Sequence, residues 1–304
     1  MQVPALLRTP PPVHGFALGT DVLLYGRLDR SRTALERVDA QPLAAAWFQL
    51  GPVGLLHIDR PLLAGALTPL LQRLDRRPER ASVVVPDGWM RSIVVDVGSL
   101  PRQRQEAEEV VRWRLKKLLP CRPEEVRLDF LRAGENGRIL VLLALDRPFV
   151  ALEELFAAGG VHVGRIEPTA LALTNLLPPS EEAALLMTAE ERTLTLVFVA
   201  RGRVSLLRHK TLPADLGHAE TFALRELART LSHAREHEGV TGPLDVWVTA
   251  PNVVLLDFME EWARHEQGVV VHRLTVDEER VPRLPQVETV KLWSVLATSS
   301  DGEA

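Results

Sequence analysis

The stretch 82-SVVVPDGWMRSIVVDVGSLPRQRQEAEEVVRWRLKKLLPCRPEEVRLDF-130 decides how this 304-residue chain is read. It opens with a strand-length apolar run, Ser82–Pro86, and a second follows at Ser92–Asp96. Leu100–Pro101 breaks the chain. An amphipathic helix then covers Gln103–Leu118, with Ala107, Val111, Leu115 and Leu118 on one face. Glu106, Glu108 and Glu109 fill its early turns and Arg112, Arg114, Lys116 and Lys117 its late ones, the order that suits the helix dipole. Glu108 and Arg112 stand at the favourable i,i+4 spacing. Leu119–Pro120 ends the helix, and Glu124–Glu125 leads into a third strand, Val126–Leu131. A strand at Ile139–Leu145 and a helix at Pro148–Ala158, stopped by Gly159–Gly160, complete the block. Residues 82–164 therefore read as a compact βαββα unit.

Upstream, Gly15–Leu28 reads as a hairpin around Gly19–Thr20–Asp21, with further strands in Ala34–Ala46 and Leu55–Ile58. Pro61–Leu74 carries a helical stripe of Leu62, Leu63, Ala66, Leu67, Leu70, Leu71 and Leu74. Downstream, a short helix at Thr169–Leu177 ends at Pro178–Pro179. A strand pair follows, Ala184–Thr188 and Thr193–Val199, then a turn at Arg201–Gly202 and a strand at Val204–Leu207. A long helix spans Ala219–Glu236. The remaining elements are a strand at Leu244–Thr249, a helix at Val254–His265, a strand at Val269–Leu274 and a closing helix at Val290–Leu296. Strands alternating with helices give a mixed α/β class. The hairpins near Gly19 and near Glu190 echo one another, as in a duplicated α/β fold. Met1–Val13, with four prolines, and 299–304 read as loose tails.

Composition narrows the function. Hydrophobic residues at 46% and charged residues at 25% are those of an ordinary folded protein. A net charge of −4 draws nothing toward nucleic acid, and aromatics at 5%, with Tyr25 the one tyrosine, offer no base-stacking surface. The single Cys121 excludes an internal disulfide and fits a reducing compartment. No apolar run approaches the ~20 residues that cross a bilayer, and the N-terminus lacks a signal pattern. A cytoplasmic protein is expected, membrane contact being indirect. No Walker motif, G-x-G-x-x-G or G-x-S-x-G is present.

The order of breaks and charges carries a resemblance. Ser82–Val83–Val84–Val85–Pro86 with Arg91, Leu100–Pro101, Glu106, Trp113, Leu119–Pro120, Glu124–Glu125–Val126 and Asp129–Phe130 resemble PilM, the cytoplasmic actin-like family of type IV pilus assembly. They are more distantly similar to the cytoplasmic part of the type II secretion protein GspL. Gly160–Val161–His162–Val163, Ile166–Glu167–Pro168–Thr169–Ala170–Leu171, and Gly202–Arg203 with Arg208 continue the likeness. It extends over roughly 14–298, densest in the central block. GspL would carry a membrane span after this region, which favours PilM. The resemblance implies a two-lobed actin-like (RNase H-like) fold. Its first lobe would take 14–81 and 165–179, an inserted subdomain 82–164, and its second lobe 180–298. It also implies docking of a short cytoplasmic peptide from a PilN-like bitopic membrane protein. The chain would then lie under the inner membrane as a platform scaffold, with self-association left open. Such docking would pair backbone to a strand edge, with Val83, Val85, Trp89, Met90 and Arg91 as the expected contacts.

The family's nucleotide motifs depart from their pattern here. Gly–x–Asp–x–Gly–Ser becomes Gly15–Phe16–Ala17–Leu18–Gly19–Thr20, so the acid is Ala17, and the lysine that often follows falls near Leu24. Asp–x–Gly becomes Thr188–Ala189–Glu190. Glu190 replaces a glycine that lets backbone reach phosphate, and a carboxylate there costs on the order of several kcal/mol. Ser–Gly–Gly–Gly becomes Thr249–Ala250–Pro251–Asn252. Three separated changes in one direction lead to an expected pseudo-ATPase, without cofactor. The alternative is an active ATPase holding ATP and Mg through rearranged ligands.

A second alternative comes from His233–Ala234–Arg235–Glu236–His237, which matches the H-x-x-E-H pattern of inverted zinc proteases; no Glu-bearing helix downstream clearly completes the site, although Glu260 and Glu261 are available. The plainer account is a polar helix end stopped at Gly239. The run Arg73, Arg76, Arg77, Arg80 could touch anionic lipid, but a solvated helix end and loop is the preferred account. Cys121, at the end of a helix, reads as structural.

Overall fold

The computed structural model describes residues 10–43, 46–133, 137–178, 183–190, 193–250, 256–257, 261, 268–282, 284 and 287–299. Two five-stranded sheets of the same topology form its frame. In the first, β1 (His14–Leu18), β2 (Val22–Leu28) and β3 (Leu35–Pro42) make an antiparallel meander. β6 (Arg80–Val85) joins β1 in parallel and β10 (His162–Pro168) joins β6, giving the order β10-β6-β1-β2-β3. In the second, β11 (Ala183–Glu190), β12 (Thr193–Ala200) and β13 (Arg203–Thr211) repeat the meander. β14 (Leu244–Thr249) and β15 (Val269–Arg273) repeat the parallel pair. The turn from β12 to β13 is Arg201–Gly202 with φ of 51° and 68°, the double positive φ of a type I′ hairpin.

Helices take positions their sequences prepare. The first-sheet face of Phe16, Leu18, Leu23 and Val83 is covered by α1 (Arg60–Gln72) and α3 (Asp146–Ala158), through Leu63, Leu67, Leu70, Phe149, Leu152 and Phe156. Asp59 caps α1 by accepting from Leu62 N–H at 3.0 Å, ahead of a proline in the first turn. The opposite face, with Ala17, Leu24 and Val84, receives α6 (Thr289–Ser299) through Leu292, Val295 and Leu296. The short α4 (Thr169–Leu173) packs beside α6. In the second lobe α5 (Leu216–His237) covers Leu185, Met187, Leu196 and Phe198 with Ala223, Leu227 and Leu231, and Asp215 caps it at His218 N–H, 3.0 Å.

Between the lobes stands a smaller sheet of β7 (Arg91–Asp96), β8 (Val126–Arg132) and β9 (Arg138–Leu145), in the order β7-β9-β8, carrying α2 (Arg104–Leu115) on one face. Arg112 pairs with Glu108 at 2.7 Å and donates to Val126 O at 2.9 Å, so the expected i,i+4 pair also fastens α2 to β8. The other face, with Leu140 and Leu142, packs against Leu186, Val197 and Leu207 of the second sheet and Ala170 and Leu173 of α4. A hairpin of β4 (Phe48–Gly51) and β5 (Gly54–Ile58) lies beside the first lobe.

Several boundaries differ from the sequence reading. Ser82–Val85 belongs to a central strand of the first lobe. Its run Ala81–Val85 is buried on both faces, as a parallel strand with two neighbours must be. α3 packs on the first-lobe core. The inserted unit is therefore β7-α2-β8-β9, starting near Arg91 and ending near Leu145, instead of 82–164. Pro10–Val13 is not a loose tail: Val13 O accepts from Leu28 N–H at 2.9 Å. Thr298 and Ser299 are fully buried in the last turn of α6. Residues 1–9 and 300–304, and nearly all of the expected helix Val254–His265, lie outside the described residues.

Candidate functional site

The two hairpins face each other across the lobes, and a lysine fills the space between them. β1 is followed by Gly19, whose carbonyl accepts from Trp47 Nε1 at 3.0 Å, which pins the first hairpin to a fully buried indole. Lys291, in the first turn of α6, points at this hairpin. A Cβ on Gly19 would lie 2.4 Å from Lys291 Nζ, so the ammonium packs directly over the glycine. Nζ lies 3.6 Å from Glu288, 3.8 Å from Asp21 and 4.0 Å from Glu190. Lys291 and Glu190 are 2% and 3% exposed. A helix N-terminus is the wrong end for a cation. Carboxylates from the first hairpin, the second hairpin and the residue preceding the helix offset that and the loss of water.

The remaining predicted positions divide. Gly15 pairs with Gly26 across β1–β2, and both lie beneath α6. A Cβ on Gly15 would meet Ser299 Oγ at 2.9 Å, and one on Gly26 would meet Val295 Cγ1 at 2.6 Å. Their smallness seats a helix against the sheet. Ala17 and Leu24, the positions of the family's acid and lysine, are apolar packing beneath the same helix. The cleft's lysine thus arrives from α6. Thr20 is half-buried in the hairpin turn. Thr188 is fully buried opposite Thr195, and Ala250 packs on the second-lobe core. Pro251 and Asn252 lie outside the described residues. The structure brings Gly19 and Glu190 together through Lys291.

Asp87, two residues beyond β6 in a turn that packs against β12 of the second sheet, is 2% exposed. Its Oδ1 accepts from Ala170 N–H at 2.8 Å at the start of α4. Burial pushes its carboxyl up to about 6 against that hydrogen bond, which favours the ionised form. Neither Asp87 nor Lys291 was singled out by the sequence reading. Asp87 sits in Pro86–Asp87–Gly88, which reads as a turn. Lys291 stands in an apolar helix of residues 290–296, and a lone cation within such a helix was the available signal.

Val83, Val85 and Trp89 are wholly buried, and β6 has a partner strand on each side. They cannot offer side chains or a free edge to a peptide, contrary to expectation. Met90 and Arg91 are half-buried at the surface. Beside them the β4–β5 hairpin exposes Leu50 and Leu56, 53% and 50% accessible. That hairpin approaches closely because Gly54, at φ 105°, lets Trp89 O come within 2.2 Å of where a Cβ would stand.

The H-x-x-E-H residues do not form a metal centre. The rings of His233 and His237 lie edge to face with centroids 4.6 Å apart, and Arg138 of β9 lies 3.4 Å from His233 Nε2. Arg138 also pairs with Glu238 at 3.4 Å. Glu236 is exposed, and Glu260 lies outside the described residues. Burial, then His237 and Arg138, hold the His233 imidazole below its usual range. Among the described residues no group of three His, Cys, Asp or Glu could hold a metal ion. The motif is a polar contact between the inserted unit and the second lobe. Among the same residues no helix is long and apolar enough to cross a membrane.

No protein-family model and no curated protein sequence matches the chain. Solved structures do. A chain of the PilM–PilN type IV pilus biogenesis complex superposes with a TM-score of 0.70 at 17% identity, over 96% of this chain and 98% of that one. The cytoplasmic domain of EpsL, an inner-membrane component of the type II secretion system of Vibrio cholerae, gives 0.53 at 14% identity, over 95% of each. A Bacteroides thetaiotaomicron protein with an actin-like ATPase fold and unknown function gives 0.52 at 10%, over 93% and 94%. Duplicated sheets of one topology, a cleft between them and these superpositions together make the chain an actin-like protein, similar in fold to PilM and to the EpsL cytoplasmic domain.

Proposed function

We propose that this protein is a non-catalytic actin-like adaptor of a type IV pilus or type II secretion platform. In this reading it lies in the cytoplasm beneath the inner membrane and docks the cytoplasmic peptide of a PilN-like membrane protein. The observation that carries the proposal is the Lys291 ammonium, buried between two hairpins that would otherwise close around a triphosphate. Glu190 adds a carboxylate where phosphate would approach, and Ala17 and Leu24 leave apolar packing in place of an acid and a lysine. The likeness to a PilM–PilN chain over nearly the whole of both chains supports the partner class. Met90, Arg91, Leu50 and Leu56 form the docking surface in this reading.

Calorimetric titration with Mg-ATP is expected to give no saturable heat, and co-purification with a PilN-like partner is expected to end when the partner's cytoplasmic tail is removed. Micromolar ATP affinity would overturn the first half; recovery without the tail would overturn the second. One observation favours an ATPase instead, the buried Asp87 carboxyl with its raised pKa. That carboxylate already accepts from Ala170 N–H at the start of α4, which gives it a structural task.

A further inference from the structure

The arginine run at 73–80 divides in the fold. Arg73 turns back over β3, donating to Ala40 O at 2.9 Å and Gln41 Oε1 at 2.7 Å. Arg76, Arg77 and Arg80 instead line an open cavity of about 520 Å³, where Arg27 and Arg32 join them from elsewhere in the chain. The walls include Pro10–Val13, which Arg32 holds by donating to Pro11 O at 2.9 Å. Arg80 lies flat on β10, its Nε 2.3 Å from where a Cβ on Gly164 would stand, so a glycine sets the guanidinium's position. Acidic groups offset part of the charge: Glu36 pairs with Arg27 at 2.6 Å, and Glu79 with Arg76 at 3.8 Å, the latter pair almost wholly in solvent. Among the described residues neither Arg77 nor Arg80 has an acidic partner. His14 stands at the rim, bonded to Tyr25 Oη at 2.8 Å; burial and then Arg27 and Arg76 hold its imidazole below the usual range. The field there is positive.

We propose that this cavity is a binding site for a phosphate-bearing anion. Guanidinium groups without carboxylate partners, aimed into one concavity, match the planar bidentate recognition of phosphate oxygens. A concave positive wall also focuses the field on a bound anion. The site lies at the far end of the first sheet from the cleft. His14 and Arg80 begin β1 and β6, whereas Gly19 follows the end of β1, roughly 15 Å of strand away. It is independent of the cleft and of the docking surface. The shared ligand chemistry is an anionic phosphoryl group, supplied either by a soluble polyphosphate or by the phosphodiester of an anionic lipid headgroup.

Two probes separate those sources: inorganic tripolyphosphate followed by calorimetry, and co-sedimentation with phosphatidylglycerol–phosphatidylcholine vesicles against vesicles of phosphatidylcholine alone. The full chain is compared with Arg77→Ala/Arg80→Ala and with Lys116→Ala/Lys117→Ala, which removes two exposed cations from the inserted unit. The Arg77/Arg80 variant is expected to lose about tenfold in affinity for whichever probe binds, with the Lys116/Lys117 variant unchanged and both melting as the parent does. Tripolyphosphate binding alone supports the soluble source, vesicle binding alone the lipid headgroup, and binding of both a site open to either. Absence of binding to both probes at low salt, or equal losses in the two variants, would overturn the proposal.

Discussion

Lys291 Nζ lies 4.0 Å from Glu190 Oε1, and this contact joins a helix packed on the first sheet to the last residue of a second-sheet strand. Both side chains are buried, so the pair acts as an inner clasp between lobes. A buried ion pair adds little net stability over an apolar substitute, but removal of one member strands the other. Lys291→Met is expected to lower unfolding free energy by ~3 kcal/mol, and the double variant Lys291→Met/Glu190→Leu is expected to recover most of that loss. Denaturant midpoints measure both. A neutral Lys291→Met would mean the carboxylates are already solvated in solution.

The seat of α6 makes a second prediction. Gly26→Ala would place a methyl 2.6 Å from Val295 Cγ1 on a helix packed tightly against β1 and β2. A loss of about 1–3 kcal/mol is expected, the usual cost of overpacking. Val295→Ala in the same background should return part of it, because the two changes share one contact. Additive losses would place the strain elsewhere.

Asp87 predicts a pH dependence. Its carboxyl is raised to about 6 by burial, so the folded state prefers the protonated form. Below about pH 4 both folded and unfolded states carry the proton and the group contributes no penalty; as pH rises through about 6, the folded state comes to hold a buried carboxylate, at a cost of ~3 kcal/mol. Asp87→Asn keeps an acceptor for Ala170 N–H and cannot ionise. The variant should therefore gain on the parent as pH rises from about 4 to 7, by ~2–3 kcal/mol in chemical denaturation. A difference that stays flat over that range would show that Asp87 does not titrate there.

The docking surface is tested on the β4–β5 hairpin. Leu50 and Leu56 are about half exposed, so Leu50→Asp/Leu56→Asp is expected to leave the melting temperature close to the parent's. Capture of a PilN-like partner's cytoplasmic tail should fall by tenfold or more if these leucines anchor it. Undiminished capture by this variant would move the surface elsewhere on the first lobe.

Much of the frame was legible because its signals are local. The hairpin turn at Gly19–Thr20–Asp21, the Arg201–Gly202 turn and the dipole-ordered α2 are set by near neighbours in the chain. β6 was assigned to the wrong unit for a physical reason. Its apolar run states that it is buried, and says nothing of which strands bury it. The docking residues failed with it, since Val83, Val85 and Trp89 look like a groove only if that strand is an edge.

The sequence by itself determined the α/β class and most of the strand and helix order, which follow from periodicity and spacing; the departure from nucleotide motifs is an expectation that rests on the family resemblance. Tertiary structure alone decided what lies between the two hairpins and where the arginines converge. Lys291 meets Asp21 and Glu190, and Arg80 meets Arg27 and Pro11, only after two sheets have closed over long stretches of chain. Such meetings depend on strand pairing and on which helix covers which face, and no local pattern encodes them.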